Sequence, residues 1–192
     1  MFLLCLGLVV FLGVHSIRLQ SDRWRDLWIA RAGEKGFKLQ YSLVSAVGLI
    51  LTMIGFGMAR EAPWVLWTPW VGMRFLAALL TLMAFVLLAA AYVPGNAIKA
   101  KLHHPMILAV KVWALSHLLV NGSAVHMVLF GAFLVWSVLC FRAARQRDLR
   151  LQTSYEAGKA RATSLTVALG TLAWSLFAFW GHGWLIGIRV MV

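Results

Sequence analysis

The chain has 192 residues, 62% of them hydrophobic and only 12% charged, whereas a soluble domain carries roughly a quarter charged residues. With a mean hydropathy of +0.83, composition excludes a soluble globular domain and implies an all-α integral membrane protein whose first partner is the lipid bilayer. The net charge of +12 is scattered over short loops between apolar runs, with no room for a basic recognition domain, so nucleic acid is excluded as a partner.

Six apolar segments are predicted as spans, at 1–17, 40–58, 72–93, 105–120, 124–141 and 164–187, each near the ~20 residues that cross a bilayer. The first ends Gly13-Val14-His15-Ser16 but starts apolar at Met1 without a basic leader, and it is read as a retained span. In the loop after it, Trp24, Leu27 and Trp28 recur at helical spacing behind Ser21-Asp22, which can cap a helix. That pattern predicts a short helix lying on the membrane surface. The second span carries Gly48, Thr52 and Gly55 on one stripe, the mark of a close helix contact. Trp64, Trp67 and Trp70, with Pro63 and Pro69, read as an interfacial aromatic belt. Asn121-Gly122-Ser123 is a turn signal that makes spans four and five an antiparallel hairpin. Cys5 and Cys140 lie far apart in apolar runs and read as packing.

Charge orients the bundle. Arg18, Arg23, Arg25, Arg31, Lys35 and Lys38 occupy the first loop, Lys99 and Lys101 the third, and Arg142, Arg145, Arg147, Arg150, Lys159 and Arg161 the fifth. The second loop region holds only Arg60 and Arg74, and the fourth loop none. By the positive-inside rule the odd loops are cytoplasmic, and both termini are non-cytoplasmic.

An ionisable ring inside hydrocarbon is a functional-site hypothesis by default, and His117 in the fourth span is one; the plainer reading is a helix-to-helix hydrogen bond. His104 lies thirteen residues earlier, which on a straight helix is ~20 Å, so the two cannot share one metal ion. A partner for either must come from another helix, and His15 is the other histidine inside a span and preceded by a full apolar run. Two histidines on two helices with an apolar slot between them make a workable b-type haem site. The depths differ, however. His15 is predicted near the cytoplasmic end of span one and His117 towards the outer end of span four, which keeps His104 as the alternative partner. Trp113, one turn from His117, is placed to pack a macrocycle. Lys111, two turns after His104, is expected to face a polar partner, a cavity or a haem propionate rather than lipid, with snorkelling as the alternative. His103, His126 and His182 read as interfacial or packing residues.

The run His-Pro-Met-x6-Trp-Ala-Leu-x-His-Leu-Leu-x-Asn-Gly (104–122), His15-Ser16 before a basic loop, and Tyr41-Ser42-Leu43-Val44-Ser45 resemble the NnrU family. These are small bacterial membrane proteins associated with nitrite and nitric oxide metabolism in denitrifiers. That family is similar to the 15-cis-zeta-carotene isomerases, membrane enzymes that use haem b. The resemblance implies haem b held axially at His15 and His117, in a multi-pass protein of the bacterial cytoplasmic membrane. One departure matters. Where the isomerases carry a cysteine three residues before the second histidine, this chain has Ala114, so cysteine-assisted ligand exchange is not open to it. Three functions follow: a haem protein of nitrogen-oxide metabolism, a haem-dependent cis-trans isomerase of a lipid-soluble polyene, or a non-enzymatic accessory protein partnering a respiratory complex.

Overall fold

The computed structural model describes residues 1–20 and 22–190, all of whose regular structure is helical. Four helical segments are long and apolar enough to cross a membrane: Arg23–Ala59, Met73–Tyr92, Ala124–Arg150 and Ala160–Ile186. The first and fourth predicted spans form shorter apolar helices, Phe2–His15 and Pro105–Val120. At 1.5 Å per residue these are ~21 and ~24 Å long, against a hydrocarbon core of ~30 Å. Packing divides the chain into two compact units, one of Met1–Trp70 with His117–Ala143, the other of Val71–Ser116 with Ala144 onward.

The first unit contains α1 (Phe2–His15), α2 (Ile17–Gln20), α3 (Asp22–Ala59), the end of α6 (Pro105–Val120) and the apolar part of α7 (Ala124–Arg150). Lipid offers no hydrophobic drive for helices to associate, so close backbone approach must do it. The predicted small-residue stripe does this. Gly48 lies against Phe11, Thr52 against Gly7 and Gly55 against Leu4, and a Cβ added at Gly55 would land on the Leu4 backbone. Thr52 hides its hydroxyl by donating to the Gly48 carbonyl at 2.8 Å. Leu4, Leu8 and Val125 form the buried centre, rimmed by Leu12, Phe56 and Phe133.

Helix α3 is interrupted at Gly33, whose φ of 71° and ψ of 167° lie in a region open essentially to glycine alone. The short helix expected around Trp24–Trp28 is therefore the part before this break, and its predicted cap falls on Ser21, outside the described residues. The predicted hairpin turn joins α6 to α7. It is also pinned from the side: the Leu66 amide donates to the Gly122 carbonyl at 2.8 Å and the Ala124 amide to the Trp64 carbonyl at 2.8 Å.

The second unit contains α4 (Met73–Tyr92), α5 (Ala97–Leu102), most of α6, the basic end of α7, α8 (Ala160–Leu176) and α9 (His182–Ile186). Gly170 brings α8 against the backbone of α4 at Val86, and the Trp174 indole donates to Thr81 at 3.0 Å. Asn96, 1% exposed, caps α5 by accepting from the Lys99 amide at 2.8 Å and donates to the Ala90 carbonyl at 2.9 Å. The last predicted span, 164–187, is not one regular helix: a π turn at Phe177–Gly181 separates α8 from α9. Gly181 and Gly183 flank His182 there, and glycine weakens a regular α-helix most among non-proline residues.

Candidate functional site

His15 closes the last turn of α1, where its Nδ1 lies 2.7 Å from the Phe11 carbonyl oxygen. A carbonyl cannot donate, so Nδ1 carries a proton, and in the neutral ring it is Nε2 that has the lone pair. A backbone carbonyl on the far nitrogen is also how proteins orient a metal-binding imidazole. Aromatic rings wall the imidazole: Phe11 at 4.3 Å, Tyr41 edge-on at 5.3 Å and Trp136 edge-on at 6.3 Å. His15 lines a cavity of about 320 Å³ with Val14, Ile17, Phe37, Tyr41 and Ser42, and with two cations, Arg25 and Lys38.

The break at Gly33 brings Arg25 to the cavity, because it lets the 22–32 helix fold back on the start of the span, where Lys38 stands. The Trp28 indole donates to Gln40 Oε1 at 2.6 Å and meets Phe37 edge-on at 5.1 Å. Arg25 lies over the Phe37 ring, 5.8 Å from its centroid, a cation–π arrangement.

His117 lies in the same unit, in the last turn of α6. Its ring is 4.5 Å from that of Phe130, which also stacks on His126 at 6.0 Å. His126 is hydrogen-bonded to Ser123 at 2.6 Å, which ties it to the hairpin turn, and Asn121 donates to the His117 carbonyl at 2.8 Å. The α7 neighbours of His15 and His117, Trp136 and Phe130, are six residues apart, about 9 Å along the helix. The two rings therefore touch α7 at different depths. On α6, Lys111 and Trp113 are half-buried, and Ala114 is fully buried. His182 Nδ1 donates to the Ile188 carbonyl at 2.7 Å on an exposed stretch.

In the second unit His104 belongs to a separate cluster. Its Nε2 lies 2.8 Å from Asp148 Oδ2, and the same oxygen is approached by His103 Nδ1 at 3.4 Å, Arg145 Nη1 at 3.4 Å and the Tyr155 hydroxyl at 3.2 Å. Asp148 lies beyond the apolar part of α7 and is only 9% exposed. Burial alone would raise its carboxyl, but the hydrogen bond and charge of His104, with the bonds from Tyr155 and His103, hold it below its ordinary value. The chain reaches this arrangement through a strained turn. His103 has φ 66° and ψ −51°, and the His104 amide donates to the Leu102 carbonyl at 2.8 Å, which defines a γ-turn of the rare positive-φ hand. The Tyr155 ring covers it, 4.0 Å from that of His103. The Arg145 guanidinium, hydrogen-bonded to His103 Nδ1, fills the place a cation would take. Among the described residues no three His, Cys, Asp or Glu side chains are arranged to hold a metal ion.

The family model described as NnrU protein matches residues 3–190. The chain belongs to the NnrU family. No curated protein and no solved structure matches it. Motif reading in this NnrU protein found His15, His104 and His117 but treated Arg25 and Lys38 as topology charges and passed over Asp148 and Tyr155. A signal for Asp148 exists: it is the one acidic residue between Glu61 and Glu156, and it sits within a run of arginines.

Proposed function

We propose that this NnrU protein is a haem b-binding protein of the bacterial cytoplasmic membrane, acting in nitrite and nitric oxide metabolism, in which His15 would hold the iron. The reading has both shorter apolar helices inserted as spans, giving six crossings and non-cytoplasmic termini. The observation that carries it is the His15 imidazole, its Nδ1–H fixed on the Phe11 carbonyl beside an aromatic-walled cavity with basic residues at its edge. That donor set fits a porphyrin: a neutral imidazole lone pair for the iron, an apolar slot for the ring, and cations for the acidic substituents. When bound, the haem would supply a redox-active iron. The chain's own contribution is to hold His15 in the ligating tautomer, to exclude water with Phe11, Tyr41 and Trp136, and to offset negative charge with Arg25 and Lys38.

The nitrogen-oxide assignment rests on family association alone. A second imidazole for the group would come from His117, since His104 is directed at Asp148. The test is the absorption spectrum of purified protein from haem-replete cells, oxidised and reduced. A low-spin spectrum with sharp split bands on reduction is expected if two imidazoles bind the iron. A well-folded preparation without haem would overturn the cofactor assignment. The topology is tested by reporter fusions: Asn121 and the C-terminus are expected on the non-cytoplasmic side, Gly33 and Gln152 in the cytoplasm.

A further inference from the structure

We infer that the 22–32 helix is a clasp that presents Arg25 to a carboxylate of an acidic porphyrin ligated at His15; this rests on the haem reading above. The cavity is lined by both an imidazole and a guanidinium, which would suit a macrocycle with an iron centre and acidic edge groups. Arg25 suits the task because its planar fork matches a carboxylate with two parallel hydrogen bonds. Its present partner is weak: Asp26, at 3.5 Å, is 69% exposed in its side chain, and surface pairs of this kind contribute little. The ligand carboxylate would replace that contact at small cost. Lys38, paired with Glu34 at 2.7 Å and 70% exposed, is the outlying second cation.

Two observations make the helix a clasp and not a fixed wall. A cavity of about 320 Å³ lies at the lower end of the ~300–1,000 Å³ range of small-molecule sites, and an outward swing of this helix, which lends it Arg25, would enlarge it for a macrocycle. Gly33 supplies the joint for that movement, since its backbone conformation is already one that other residues avoid. The Trp28–Gln40 hydrogen bond and the Trp28–Phe37 edge contact then fasten the helix back over the start of the span.

The test uses the full-length protein purified without haem and titrated with ferric mesoporphyrin, as the free acid and as its dimethyl ester, followed by the Soret band. The wild-type protein is expected to bind the acid about tenfold more tightly than the ester, the size of one lost charge-assisted hydrogen bond. Arg25→Gln is expected to abolish that preference while leaving the ester affinity unchanged, which also shows that the variant is folded. Gln40→Leu is expected to speed release of the acid porphyrin into excess apomyoglobin about fivefold, the worth of an ordinary hydrogen bond. Equal wild-type affinity for acid and ester, or a preference surviving in Arg25→Gln, overturns the role of Arg25 while the haem reading stands. An unchanged release rate in Gln40→Leu overturns the clasp. Failure of the wild type to bind either porphyrin overturns the haem reading itself, and imidazole ligation persisting unchanged in His15→Ala overturns the assignment of His15.

Discussion

The two histidine clusters of this NnrU protein use the same side chain to opposite ends. In the first unit the His15 imidazole donates Nδ1–H to its own helix, and the ring lines a cavity whose walls are aromatic and whose edge is basic. In the second unit His104 and His103 converge with Arg145 and Tyr155 on a single carboxylate oxygen of Asp148. In the first arrangement only one ring nitrogen is taken up by the helix. The second closes on itself, and its five side chains tie the α5–α6 turn, the end of α7 and the segment around Tyr155 into one knot. A histidine in an apolar chain is therefore not informative by its type or depth alone; what its two nitrogens touch separates a ligand from a fastening.

The largest expected effect tests that contrast directly. His15→Ala is expected to remove haem, whereas His104→Ala is expected to retain it and lower thermal stability in detergent. Haem content and melting temperature, measured on both variants, should move in opposite pairs. Loss of haem in His104→Ala with retention in His15→Ala would reverse the assignment of the two clusters.

Next in size is the packing that holds His15 in place. The α1 to α3 contact is backbone against small residue at Gly7, Gly48 and Gly55, so Gly55→Leu must separate the helices. Overpacking of this kind costs about 3 kcal/mol at the upper end of its usual range. A lowered melting temperature is expected, with haem content falling alongside it because His15 ends α1. An unchanged melting temperature would show that the contact is not close.

This stripe was legible in the sequence because Gly48, Thr52 and Gly55 repeat at helical spacing, and small residues in a span have one common use. The hairpin at Asn121-Gly122-Ser123 and the limits of α6 were legible for the same local reasons. Lengths were less so: α7 runs on to Arg150 because its basic tail is still helix-forming, while a span reading stops at the first arginine. The Asp148 knot was hidden because it joins residues 44 apart in sequence across a turn that local preference disfavours at His103. Arg25 was read for its charge and not for its place, since only the conformation of Gly33 returns its helix to the cavity. The π turn at Phe177–Gly181 has no sequence pattern beyond a pair of glycines that also occurs in regular spans.

Removing the acceptor of the knot comes next. Asp148→Ala leaves His103, His104, Arg145 and the Tyr155 hydroxyl without the oxygen they share. Breaking a buried pair costs about 3–5 kcal/mol when the remaining charge is sealed from water. The partners here are between 19% and 37% exposed in their side chains, so about 2 kcal/mol is the expected loss on that scale. Haem content should stay at the wild-type level, since the His15 cavity lies within the other unit. A parallel loss of haem would join the two regions functionally and break the contrast between them.

The smallest effect is a pH limb. The Asp148 carboxyl is held below its ordinary value by His104, Tyr155 and His103 against the opposing effect of burial. A carboxylate whose folded-state value is depressed contributes stability that is fully present above its unfolded value, near pH 4, and is lost as pH falls through the folded value. Asp148→Asn keeps the shape and removes the charge, so it should be less stable than wild type at neutral pH. The difference should narrow below about pH 4, as the wild-type carboxyl takes up a proton. Melting curves of the two proteins between pH 3 and pH 7 would show convergence at the acid end. Parallel curves would mean that the knot depends on shape and not on charge.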